Sequence, residues 1–325
     1  MYETIILEYE GKFGRGRTVE DIVSWVETIP PIPEAANRAL RLVDDLDSTP
    51  HEIAAVLARD PVLVSAVMRA ANSASLGRAE AVTAVEEAVL VVGLGSLKTL
   101  LLGLTLKRWN KNFGEIEKLI WEKSLGTAAA AYIIATFLGK TYQDTARLCG
   151  LLHNLGQIIM LSHPEVRKDY PAVLAYIREH QVDYVEAERA VIGFSHTLIG
   201  AMVARRWQFP LSICTTILRY AEPFEAIENK QDEQVALTKL AASLSMCAGL
   251  GCAVGHPLAC GEQRQPSATL TDSDLTCGGA GVSGCGSLGL VAEALGFKDD
   301  TFDNYRAILA KQTRALFATE SNTFS

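Results

Sequence analysis

Apolar positions recur every three or four residues through most of this chain, and no run of segments alternates with the two-residue period of strands. Capping residues mark where the implied helices begin. Thr18, with Asp21 three residues on, precedes Ile22, Val23 and Val26, so a side-chain oxygen is placed to satisfy a backbone donor of the first turn. Thr49-Pro50-His51-Glu52 sets a cap, a proline at the first helical position and a glutamate at the third ahead of Ile53, Val56 and Leu57. Asp60-Pro61 repeats the device before Leu63, Val64, Val67, Met68 and Ala71, which share one stripe. Thr83 with Glu86 predicts a further capping box for a helix that stops at Gly93, and a helix over Ser96 to Trp109 follows.

The polar stretch Asn110 to Gly114 reads as a joint. Beyond it the pattern predicts a long Ala-rich helix to Gly139, one through His153, others over Ala172 to His180 and Glu186 to Ile192, one opened by Ser195, one started by Phe209-Pro210, and a last over Val235 to Cys247. From Gly249 to Ser287 the composition turns to Gly, Cys, Ser and Thr with few large apolar residues, as in a long loop or insertion. Helical spacing returns from Leu288 to Phe317. Near the start, Ile5, Leu7 and Tyr9 set against Glu8 and Glu10 suggest one short strand. The expected fold class is all-α: two packed helical bundles, residues 18–110 and 115–248, then a Gly/Cys-rich insertion over 249–287 and a C-terminal helix over 288–319 docking on the core.

Composition narrows the function classes. With 325 residues and 49% apolar content the chain can bury one large core or two moderate ones. The net charge of −8 gives no overall attraction for nucleic acid. The basic run Lys107, Arg108, Lys111, Lys118 and Lys123 is interleaved with Glu115, Glu117 and Glu122, as on a solvated helix face. The N-terminus lacks a basic segment followed by an apolar run, and the apolar stretches Ala88 to Leu106 and Gly126 to Gly139 are interrupted or short, so a cytoplasmic protein without a membrane span is expected. Gly93-Leu94-Gly95-Ser96 follows a helix and lacks the lysine of a phosphate-binding loop, which points to a tight turn between helices.

Seven cysteines, an odd number, argue for reduced thiols. Cys247, Cys252, Cys260, Cys277 and Cys285 crowd the insertion, with seven residues between the second and third and between the fourth and fifth. Zinc sites favour tighter pairs, so incidental thiols in a loop stand beside metal binding or redox sensing as readings.

The string Cys149-Gly150-Leu151-Leu152-His153-Asn154-Leu155-Gly156-Gln157 carries the most chemistry. A histidine followed by an aspartate in such a setting is how HD-type phosphohydrolases present two metal ligands together; here the second position is Asn154, a neutral and weaker ligand. The chain resembles an HDOD domain over most of its length. The resemblance runs through Ile29-Pro30-Pro31-Ile32-Pro33, Asp60-Pro61-Val62-Leu63, Ala70-Ala71-Asn72-Ser73-Ala74, the segment Ala88 to Gly95, Trp121-Glu122-Lys123-Ser124, the His153 string, the segment Phe194 to Gly200 with Arg206-Trp207, and Tyr220-Ala221-Glu222-Pro223.

That resemblance implies a degenerate site. Lys123 stands where HD enzymes place their first histidine, His153 is kept, Asn154 replaces the aspartate, and His196 matches a histidine that is a ligand in two-metal members. Tyr220 and Ala221 replace paired histidines, and Ala242 replaces a late aspartate. Two neutral imidazoles without a carboxylate suit a hard divalent ion poorly, so no cofactor and no catalytic residue is implied. The resemblance implies a non-catalytic signalling or scaffolding module with protein partners in a bacterial signal-transduction pathway, with a homodimer as a further association. Two other readings stay open. His153 and His196 are either hydrogen-bonded histidines of an old site or, with Lys123 and Arg219, an anion-binding pocket for a nucleotide; a divergent phosphohydrolase or phosphodiesterase acting on a nucleotide would instead need a metal near them and an unexpected carboxylate such as Glu222.

Overall fold

The computed structural model describes residues 18–73, 81–109, 114–222, 233–251, 295, 308–318 and 321. Every regular element among them is a helix. In chain order these are α1 (Val19–Thr28), α2 (Glu34–Asp44), α3 (Pro50–Leu57), α4 (Pro61–Ala71), α5 (Val85–Val92), α6 (Leu94–Trp109), α7 (Glu115–Phe137), α8 (Gln143–Leu152), α9 (Leu155–Ser162), α10 (Pro164–His180), α11 (Tyr184–Val191), α12 (His196–Arg206), α13 (Leu211–Arg219) and α14 (Glu233–Cys247). Residues 308–318 are also helical. The suggested strand near the start and the insertion's Cys252, Cys260, Cys277 and Cys285 lie outside the described residues, as does the side chain of Cys247.

Contacts divide the chain into two compact units, described here over their described residues: Pro31–Trp109 with Ala315–Ser325, and Met1–Pro30 with Asn110–Arg314. In the first, the caps act as their sequence suggests. Thr49 and Glu52 exchange the reciprocal bonds of a capping box, and Asp60 accepts from the backbone of Val62 and Leu63 while its other oxygen takes Arg108 at 2.9 Å. Asn72 clamps an approaching strand of chain, accepting from the Val82 amide at 2.7 Å and donating to its carbonyl at 3.0 Å. The expected box at Thr83 is absent: Ala84 occupies the N-cap of α5 and no side chain bonds there. Gly93, at a φ of 75°, turns the chain so that α5 and α6 meet at 106°, and α6 begins at Leu94 rather than Ser96. Among the described residues no single helix is long and apolar enough to cross a membrane.

The second unit is built on α7. Its run of buried alanines lets neighbours approach the backbone, and a Cβ on Gly150 of α8 would lie 2.6 Å from the Thr127 carbonyl oxygen. Ala130, Ala131 and Ile134 pack with Leu237, Leu240 and Leu244 of α14, and Leu309 and Ala310 join the same core. Burial of each large aliphatic side chain contributes on the order of 1.5–3 kcal/mol. The opening helix α1, expected with the first bundle, groups with this unit instead. Trp25 lies edge-on to His163 and against Phe194, and Arg206 and Trp207 donate to the carbonyls of Ile29 and Pro30 at 3.2 and 3.3 Å. Proline carbonyls are available because Pro30 and Pro31 form no helix ladder.

Candidate functional site

The helix expected to run through His153 breaks there. α8 ends at Leu152, α9 starts at Leu155, and the two residues between them are fully buried. The His153 Nδ1–H donates to the Gly150 carbonyl at 2.6 Å, which satisfies one of the acceptors left at a helix C-terminus and fixes the tautomer with its lone pair on Nε2. Burial first, then the charge of Lys123, holds this imidazole well below its ordinary 6.5, so the ring is neutral.

A glycine crossing brings the second histidine to the first. A Cβ on Gly156 of α9 would fall 1.8 Å from the His196 carbonyl oxygen, and one on Gly200 of α12 would meet the Gly156 nitrogen at 3.0 Å. Only bare backbones fit this contact. Ser195 caps α12 through its side chain, leaving His196 at the first turn with its side chain inward.

Glu188, fully buried on α11, anchors the cluster. Its Oε2 accepts from the His196 amide at 2.7 Å and faces the His196 Nδ1 at 2.6 Å; its Oε1 accepts from the Tyr170 hydroxyl at 2.7 Å and from Gln157 Nε2 at 3.3 Å. Burial pushes this carboxyl up, but its interactions with His196 and the bond from Tyr170 outweigh it and hold the group below its ordinary range. On the far side of the ring, His196 Nε2 lies 2.6 Å from the Tyr220 hydroxyl, which also reaches Asn154 Oδ1 at 3.3 Å. The Tyr220 ring meets His153 edge-on, centroids 4.9 Å apart at 90°. Burial, then the Glu188 charge, keeps this phenol protonated.

Among the residues singled out by sequence, Lys123, His153, Asn154, His196 and Tyr220 therefore belong to one buried cluster. Lys123 lies 5.4 Å from the Tyr184 ring centroid, on a small cleft that Gln157, Leu174 and Gly251 also line. Arg219 differs from the expected anion ligand: it is bound by Glu222 at 2.9 Å, an i,i+3 pair at the end of α13, so that carboxylate is engaged as well. Ala221 is half-buried and Ala242 buried on α14; both offer only methyl groups. Glu188, Tyr170 and Gln157 were not legible as site residues. Glu188 left one trace, a charge between Ala187 and Val191 on the buried stripe of its helix.

The donor set does not fit a divalent metal. His196 has both ring nitrogens engaged, Glu188 accepts four hydrogen bonds, and Asn154 contributes an amide; His153 Nε2 is the one imidazole lone pair of the cluster with no hydrogen-bond partner among the described residues. Asn154 Nδ2 and Gln157 Oε1 are likewise buried without a partner there. Among the described residues no group of three or more His, Cys, Asp or Glu side chains is arranged to hold a metal.

The family model of the HDOD domain matches residues 29–223. An uncharacterized protein of Treponema pallidum (strain Nichols) is 28% identical over 200 residues, 60% of this chain; the match spans 38% of that relative's length. Among solved structures, an HDOD domain protein of unknown function from Geobacter sulfurreducens is 23% identical with a TM-score of 0.64, over 92% of this chain and 99% of that one. A protein of Shewanella amazonensis SB2B, named as a candidate phosphohydrolase, is 19% identical with a TM-score of 0.67, over 94% and 98%. A protein of Marinobacter aquaeolei VT8, named as a candidate signal transduction protein, is 20% identical with a TM-score of 0.65, over 99% of this chain and 65% of that one. At these identities the likeness is one of fold.

Proposed function

Because the chain belongs to the HDOD domain family, we propose that it is a non-catalytic module of a bacterial signal-transduction pathway that works through protein–protein contact. The observation that carries this reading is the engagement of His196 and Glu188 by each other and by neighbouring side chains. His196 is shared between Glu188 and Tyr220, and Glu188 has no oxygen left for a metal or a water nucleophile. Metal-dependent hydrolysis needs an ion that holds and acidifies a water, and a hard ion favours carboxylate ligands, whereas Glu188 is already committed to four hydrogen bonds. The name of the Marinobacter relative supports the signalling part of the reading.

The test is hydrolysis of bis(p-nitrophenyl) phosphate and of a cyclic dinucleotide by the purified full chain, made without chelator, with Mn2+ or Mg2+ added. No turnover above a His153→Ala control is expected. Turnover that His153→Ala abolishes overturns the reading. A second reading, a small-anion sensor, is favoured by one feature: the cleft that places the Lys123 ammonium and the Gln157 amide among the apolar side chains of Ile116, Leu119 and Leu174. Calorimetric titration with a nucleotide and with inorganic phosphate separates the two readings.

A further inference from the structure

We infer that Tyr220 is the residue that closes the old site to metal ions, its hydroxyl lying on His196 and Asn154 and its ring packed on His153. The inference rests on the non-catalytic reading and gives it a cause: the site is occupied by a phenol lock, which is a different state from a metal site short of one ligand.

A neutral imidazole has one lone pair, and a metal takes it. The Nδ1 of His196 faces Glu188 Oε2 at 2.6 Å, where only an N–H makes a favourable contact, so the lone pair of the neutral ring is on Nε2. That atom faces the Tyr220 hydroxyl at 2.6 Å. A coordinated zinc-like ion would stand about 2.0–2.1 Å from the same nitrogen, along the direction the hydroxyl now takes. The ion and the phenol exclude each other there.

Displacing the phenol is resisted on its other contacts. The hydroxyl lies 3.3 Å from Asn154 Oδ1, and the ring edge packs on His153 with centroids 4.9 Å apart. The side chain is buried, with 5% of its surface exposed, so a swing away from His196 has no solvent-filled space to enter. Restoring the acidic ligand at position 154 therefore leaves the phenol in place. The hydroxyl has one proton to share between His196 Nε2 and a carboxylate at 154, and in either case the phenol oxygen stays on the approach to Nε2.

The phenol also supplies the cross-link that a metal would. Through Tyr220 and Glu188 the start of α12 is tied to the end of α13, to α11 and to the α8–α9 break. Loss of the hydroxyl should thus weaken the apo-protein while opening a coordination position, two effects of opposite sign on metal-dependent stability.

The experiment uses the full chain and Co2+ as the probe, read by its visible absorption bands, by bound Co2+ per chain and by melting temperature. All variants carry Lys123→Gln, so that repulsion from the ammonium is the same throughout. Lys123→Gln/Asn154→Asp should bind no Co2+ and keep its melting temperature when the ion is added. Lys123→Gln/Asn154→Asp/Tyr220→Phe should melt lower than its parent without metal, bind about one Co2+ per chain, and regain several degrees on binding. Equal Co2+ binding with and without the tyrosine overturns the inference, and so does a folded triple variant that binds none. If Tyr220→Phe does not fold in this background, Tyr220→Leu, which adds no ligand, replaces it and is scored the same way. Phosphodiester turnover by the natural chain would overturn the functional reading alone, whereas the contrast at position 220 decides this one.

Discussion

Glu188 and His196 are joined by two hydrogen bonds in a space closed to solvent: one carboxylate oxygen takes both the backbone amide of His196, at 2.7 Å, and its ring nitrogen, at 2.6 Å. The first bond sets where α12 begins and the second sets which way its first side chain turns. Removing the negative charge leaves the donors of His196 and Tyr170 facing an amide. Glu188→Gln should cost on the order of 1–3 kcal/mol, the range for leaving buried hydrogen-bonding groups unmatched. Urea unfolding of the full chain, followed by helix ellipticity, measures it. A cost below about 1 kcal/mol would show that Glu188 is dispensable to the cluster.

Acid should destabilise the protein in two stages. His153 is held below 6.5 in the folded state, so as the pH falls through 6.5 the unfolded chain takes up a proton that the folded chain does not, and stability declines. Glu188 is held below 4.5, so its contribution is complete above that value and is lost as the pH falls further through the folded value. Each group contributes a slope of at most about 1.4 kcal/mol per pH unit. Melting temperatures taken between neutral and acid pH should show both declines, and His153→Gln should remove the upper one. An unchanged upper decline in that variant would assign it to another group.

Gly156→Ala tests the crossing of α9 and α12. The added methyl meets the His196 carbonyl oxygen at 1.8 Å and Gly200 backbone at 2.8 Å, so no rotamer change relieves it. The loss should be about 3 kcal/mol or more, the upper end for overpacking. Gly200→Ala meets Ile217 Cγ2 at 2.9 Å and the Gly156 nitrogen at 3.0 Å, both far looser than the 1.8 Å contact at Gly156, and should cost less. The order of the two in chemical denaturation is the prediction, and its reversal would remove the crossing as the determinant of the site.

Cys149 and Cys214 are fully buried, and burial pushes the Cys149 thiol up to about 12. Thiolate is the reactive form, so neither cysteine should react with a disulfide reagent on the native protein at pH 8. Both should react once the protein is unfolded by denaturant. Mass mapping of labelled peptides distinguishes them from the other cysteines, and rapid native labelling of Cys149 would contradict the burial.

How much was legible in the sequence depended on range. Caps act within four residues, and those at Thr18, Thr49, Asp60 and Ser195 announced their helices because a side-chain oxygen and an orphan amide are brought together by local geometry alone. Thr83 misled, since Ala84 carried the extended backbone of the cap instead. The degenerate ligand positions were also legible, because a lysine, an asparagine, a tyrosine or an alanine names its own chemistry wherever it lies. The sequence by itself thus determined an all-helical chain of HDOD type and which residue types stand at the positions the resemblance marks.

Only the tertiary structure decided what those residues do. Tyr220 reads as a missing histidine until it is found across 24 residues of chain with its hydroxyl on His196, and Glu188 reads as a surface charge until α11 is docked and burial makes every one of its bonds obligatory. A partner's identity is a matter of distance in space, and helical periodicity carries none of that information beyond a turn or two. Packing alone decides which residues meet: a glycine crossing brings two histidines together, and the Tyr220 side chain lies against both.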